Sequence, residues 1–259
     1  RRAVRNLPGE LPAPERTGLF AALGDEAAAT DDNTAAAEAY RTAHELMASA
    51  GDPLVAAALV PRMVAVAHLL GENLPARVGL LQAALDSLDG VAGADREHAR
   101  LGSAMAAAYL VDDRLDEAIA YGEASRAESQ RLGDEEAALN TAATLGSVLV
   151  FAGRMEEGWR LLEDAIARAT SAQQEAEAAR GYRMIGSSAS ALVEYDLAER
   201  WLPEGIGYAE KVELWNHRHY MASHLAHVQW ATGQWQAAAR TAQQALADGR
   251  GGITTQITA

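Results

Sequence analysis

Cysteine is absent from the 259 residues, which excludes disulfides and thiolate metal sites. Lysine is almost absent: Lys211 is the sole one, and the other cationic side chains are arginines. Aromatics make up only 5% of the chain. No apolar run approaches the roughly 20 residues that span a bilayer. The basic start, "RRAVRNLPGELPAPERTG", is not followed by the apolar stretch of a secretory signal. His-Glu-x-x-His, Gly-x-Ser-x-Gly and Gly-x-Gly-x-x-Gly are all missing, so no catalytic signature is present. A net charge of −14 argues against direct nucleic-acid binding, which works by neutralising phosphates with Lys and Arg. The expectation is a cytoplasmic, non-enzymatic protein without cofactor or metal, and without a membrane partner. The first residue is not Met, which suggests a piece of a longer protein.

What is abundant is alanine, within a 49% hydrophobic chain. Alanine loses no side-chain entropy in a helix, so the composition favours helices. A spacing pattern recurs along it. Tyr182, Ile185, Gly186 and Ala189 read large, large, small, medium at helical intervals; a turn and then Ala198, Leu202 and Gly205 follow. Comparable sets precede Ala36, Ala76, Ala118, Gly158 and Ala238. Successive differences between these positions, with Ala198 in sequence, are 40, 42, 40, 40 and 40. The spacing predicts six helical hairpins, about 16–50, 54–90, 96–130, 135–170, 174–211 and 216–248. A linker over 1–15 precedes them, and a truncated further hairpin begins at 251–259. Small residues let the paired helices cross closely, and hairpins that cannot bury a face alone stack into a solenoid. Pro61 should kink its helix, and Pro203 should bend or break its own near Leu202.

Aromatic-x-x-Leu-Gly-x-x-small followed by Ala-x-x-x-large-x-x-Ala resembles the tetratricopeptide repeat from about Arg16 to Gly249. Units near 40 residues exceed the usual 34, so the helices should be longer. The fit is weakest in the second unit, where Val64 stands in place of a small residue. The resemblance implies an all-α, right-handed superhelix whose first helices line the concave surface. A narrower likeness rests on "YDLAERWLPEGIGYAE" and "GQWQAAARTAQQAL". These phrases are similar to the repeat region of large LuxR-type transcription regulators of actinobacteria, which include the maltose-operon activator. That family carries an ATPase module before the repeats and a helix-turn-helix after them. It implies ligand sensing or partner docking within a larger regulator. A stand-alone adaptor bridging proteins is the alternative.

Projecting the first helices inward puts Arg100, Asn140, Thr144, Arg180, Arg183, Ser187, Tyr220, His224, His227 and Trp230 on the concave face. Arginine offers a planar fork for carboxylate or phosphate. The groove around Arg180, Arg183 and Tyr220 is therefore expected to bind a peptide, a protein or a small anionic effector. The competing expectation is that these arginines pair with acids of neighbouring helices. "NHRHYMASHLAH" is rich in histidine, but no Cys or well-placed carboxylate completes a metal site. The tryptophans should mostly be core or hairpin contacts, with Trp230 the exception. Self-association is expected through the last hairpin near Trp235 and Ala242.

Overall fold

A computed structural model describes residues 11–30, 32–247 and 258. Among them are twelve long helices and no strand. They form six hairpins: α1 (Ala13–Ala29) with α2 (Asn33–Ser49), α3 (Pro53–Leu69) with α4 (Leu74–Ser87), α5 (Asp95–Val111) with α6 (Leu115–Arg131), α7 (Glu135–Phe151) with α8 (Met155–Ser171), α9 (Glu175–Ala191) with α10 (Tyr195–Lys211), and α11 (Trp215–Ala231) with α12 (Trp235–Ala247). Residues 1–10 of the expected linker, 248 of the expected sixth hairpin, and 251–257 and 259 of the expected further hairpin lie outside the described residues.

The forty-residue period has a simple composition. From α5 to α11 every helix has 17 residues. Three residues connect each of these helices to the next. In each connection one residue takes a left-handed conformation: Asp113, Gly133, Gly153, Gln173, Val193, Glu213 and Gly233. This closes the helix end: the Glu194 amide donates to the Ala189 carbonyl at 2.9 Å, as the Gly153-containing turn does through Arg154 and Leu149 at 2.8 Å. Glycine adopts that conformation freely; Val193, β-branched, adopts it at φ 65° with strain.

The small-residue crossings are where the spacing put them. A Cβ on Gly186 would lie 2.5 Å from Leu202, and one on Gly24 would lie 2.4 Å from the Tyr40 ring. At the fourth hairpin two glycines meet: a Cβ on Gly158 would lie 2.6 Å from the Gly146 carbonyl and 2.9 Å from the Val150 amide. Backbone is against backbone there. Around these contacts Leu162, Ile185, Leu202 and Met221 are fully buried in one core that runs from α7 to α11. Val60, Leu81, Leu101 and Met105 do the same between α3 and α5.

The second hairpin corrects the expected register. Ala76 and Ala83 are exposed; the buried stripe of α4 is Leu74, Arg77, Leu81 and Ala84, continued by Leu88. Three leucines bury more apolar area than the Ala76–Leu80–Ala83 face, and each contributes about 1.5–3 kcal/mol. That stripe carries Arg77 inward, where Asp112 accepts from it at 2.8 Å and the Glu72 carbonyl at 3.2 Å. With Arg77 in place of Ala76, the steps become 41, 41, 40, 40 and 40.

The break allowed for at Pro203 does not occur, and neither proline ends its helix. Helix α10 continues through Pro203 and α3 through Pro61. Pro203 is exposed, so its missing N–H is lost on the water side. Trp201, Leu202 and Gly205 beside it stay anchored in the core.

Candidate functional site

The first helices make the inner wall. Helices α3, α5, α7, α9 and α11 touch one another in succession. Side chains on their unpaired faces converge on a groove of about 610 Å³ that reaches from α3 to α11. Of the ten residues projected inward, Arg100, Asn140, Arg180, Arg183, Ser187, Tyr220 and His224 line it. Three do not. Thr144 is fully buried, and its hydroxyl accepts from Arg180 Nη2 at 2.6 Å, so it supports the wall from behind. His227 and Trp230 lie outside the lining, ring to ring at 6.1 Å, with Trp230 64% exposed. His227 stands on the Tyr220 face two turns further along the helix, and Trp230 follows it, both beyond the lining residues. Trp235 is also exposed, against the expectation of a core role.

The arginines of the groove differ in their company. Arg77 is held by Asp112, Arg100 reaches Asp134 at 3.4 Å, and Arg62 reaches Asp25 at 3.7 Å. Among the described residues, Arg180 and Arg183 have no carboxylate within ion-pair distance. Pairing with neighbouring acids therefore describes Arg100 but not these two. Arg183 lies over the Tyr220 ring, 5.3 Å from its centroid. The Nε atoms of both Arg180 and Arg183 are buried and lack a hydrogen-bond partner among the described residues. A buried donor without an acceptor costs about 1–3 kcal/mol, so this end of the groove is held at a cost to the fold.

The electrostatics agree. Burial, reinforced by the neighbouring Arg183 charge, pushes the Arg180 guanidinium down to about 10, with Glu177 one turn away opposing the shift. Burial also lowers Arg183. Glu177 is raised by burial, which outweighs Arg180 and the amide of Asn140. Asn140 donates to that carboxylate at 3.2 Å. His217 falls to about 3, through burial and then the charges of Arg183 and Arg180; His224 falls to about 4, through burial, His227 and Arg183. The two imidazoles are neutral at pH 7, which concentrates the positive charge on the guanidiniums.

Inward projection missed part of the lining. Pro61, Val64, Ala104, Ala107, Val111 and Phe151 form an apolar stretch on α3, α5 and the end of α7. Their apolar nature is ordinary for core, and only the packed groove separates them from it. His217 was visible in the histidine-rich segment, but not its position beside two cations. Among the described residues no helix is long and apolar enough to cross a membrane, and no cluster of three or more His or acidic side chains is placed to hold a metal.

No protein-family model matches the sequence, and no curated protein matches it. Solved structures do match the fold. The Rap conjugation gene regulator of plasmid pLS20, in complex with the Phr* peptide, superposes with TM-score 0.70 at 14% identity, over 94% of this chain and 64% of that one. BtubC (BKLC) from P. vanneervenii gives 0.58 at 15% identity, over 91% and 90%. The TPR-like repeats of a Podosopora anserina protein described as a kinesin light chain give 0.51 at 15% identity, over 80% and 99%. The chain is thus similar in fold to tetratricopeptide-type helical repeat solenoids, with a groove along its inner wall that holds two arginines unpaired with any carboxylate.

Proposed function

We propose that this chain is a non-catalytic recognition segment, and that its groove takes an anionic peptide or small effector at Arg180 and Arg183. The pair of guanidiniums without carboxylate partners carries the reading. A guanidinium fork fits a carboxylate or phosphate in two parallel hydrogen bonds. In a groove at low effective dielectric such contacts are stronger than in water. Asn140, Ser187 and Tyr220 add polar groups along the same wall. The pLS20 regulator, similar in fold, is complexed with a peptide, which supports a peptide or small ligand here too. The likeness of two segments to LuxR-type regulators supports a place between an ATPase module and a DNA-binding module.

Calorimetry with a panel of short peptides and small organic acids tests the reading. At least one should bind the parent chain, and Arg180→Gln with Arg183→Gln should abolish that heat while leaving the melting temperature unchanged. Equal binding to parent and double variant would remove the site. A phosphate-loop motif upstream and a helix-turn-helix downstream in the same reading frame would establish the regulator context.

A second reading is a protein-docking adaptor, favoured by Trp230 and Trp235, 64% and 71% exposed on either side of one turn. Aromatic side chains of this kind are enriched at binding hot spots. A protein partner lost on Trp235→Ala but retained by the arginine double variant would support it.

A further inference from the structure

The reading above fixes an anionic group at Arg180 and Arg183 and says nothing about the body of the ligand. The groove changes character along its length. At the α9–α11 end stand the two guanidiniums, Tyr220 and His224. Toward α3 and α5 the wall is Val64, Ala104, Ala107 and Val111, closed by Phe151 from α7. Val111 and Phe151 are among the large apolar side chains that the fold leaves exposed, at 52% and 37%. The cations on that wall are already engaged, Arg77 by Asp112 and Arg100 by Asp134. An anion therefore has one favourable end, and apolar surface has the other. A volume of about 610 Å³ suits a small molecule or the end of a short chain and is far too small for a folded domain.

We infer that the groove takes a small amphipathic acid, with its oxyanion head on Arg180 and Arg183 and its aliphatic body along the Val64–Ala107–Phe151 wall. This rests on the anionic-ligand reading and adds to it a direction, a size and a polarity. The head meets two groove-lining guanidiniums that, among the described residues, no carboxylate pairs. The body covers apolar surface that water now touches, and each methylene covered there strengthens binding.

Titration calorimetry on the intact chain with butyrate, hexanoate, octanoate and decanoate measures both halves. Affinity should rise roughly threefold per methylene. Octanoate should bind at least about tenfold tighter than 1-octanol, since only the acid has a charge to offer. In the chain carrying Arg180→Gln and Arg183→Gln, octanoate should lose its advantage and show no more heat than octanol. Ala107→Trp should flatten the chain-length dependence while keeping the preference for acid, so the proposal survives should the double variant not fold. Octyl phosphate beside octanoate tells a phosphate head from a carboxylate head; either order supports the proposal. Equal affinity for butyrate and decanoate, with both still dependent on the arginines, would overturn the amphipathic body and leave the anion site standing. Equal affinity for octanoate and octanol would overturn the head. Absence of binding by every acid, phosphate and peptide would remove the site and the reading beneath it together.

Discussion

In the second hairpin an arginine points into the protein and is satisfied there; in the fifth, two arginines point into the groove and are not. Arg77 is 4% exposed in its side chain and bonded to Asp112. Arg180 and Arg183 find a threonine hydroxyl and a tyrosine ring, but no carboxylate. The packing differs in the same way. Val64 takes the small-residue place of hairpin two, while Gly186 in hairpin five lets Leu202 come close. Even the turns differ: Gly71 takes the left-handed position after α3, and Val193 takes it after α9. The contrast teaches what each hairpin is for. The second holds the stack together at some cost in close crossing, and the fifth crosses closely and keeps its cations available.

Five changes sharpen or break that contrast. Gly186→Leu should be the most damaging substitution, at about 3 kcal/mol, because a larger side chain meets Leu202 with no room to move. Urea unfolding measures it, and a midpoint equal to the parent's would disprove the crossing.

Acidification acts through two side chains at once. His217 and His224 titrate well below their ordinary 6.5 when folded, at about 3 and about 4. Between pH 6.5 and 4 the unfolded chain therefore binds more protons than the folded one. The stability that neutral imidazoles contribute is complete above pH 6.5 and is lost as the pH falls, by about 2 kcal/mol for each imidazole on reaching pH 5. His217→Asn with His224→Gln should flatten that slope, and a double variant with an unchanged slope would contradict the assignment.

Arg77→Ala should cost about 2 kcal/mol, since it leaves the Asp112 carboxylate without its partner. Arg180→Gln with Arg183→Gln should cost almost nothing, because buried cations without counter-charges do not stabilise a fold. Equal losses in the two experiments, read by thermal melting, would erase the distinction between the hairpins. Val193→Gly acts in the opposite direction and should raise stability by about 1 kcal/mol by removing strain at a left-handed position. A lower melting temperature would mean that Val193 makes contacts its 65% exposure does not suggest.

The crossings were legible because small side chains at fixed spacing have few other uses: Gly24, Gly146 and Gly186 lie against Tyr40, Leu162 and Leu202 as the pattern required. The second hairpin was misread by one residue because alanine is too common to fix a register. The leucines at 74, 81 and 88 fixed it instead, and they drew Arg77 with them. Turns at Gln173, Val193 and Glu213 carry no glycine, so nothing local announced their left-handed backbone. In the groove, facing direction could be read from the repeat, which placed seven of the ten residues on the lining. Counter-charges could not be read that way. Arg77 and Asp112 lie 35 positions apart, as Arg100 and Asp134 lie 34 apart, and only the stacked helices decide which arginine meets an acid.

The most direct measurement is nitrogen-15 spectroscopy of the arginine Nε–H groups during titration with octanoate. Arg180 and Arg183 should move together and saturate with the calorimetric affinity, while Arg77 stays fixed on Asp112. Movement of Arg77 with Arg180 and Arg183 silent, or no movement at saturating acid, would contradict the claim that these two guanidiniums are the groove's free positive charge.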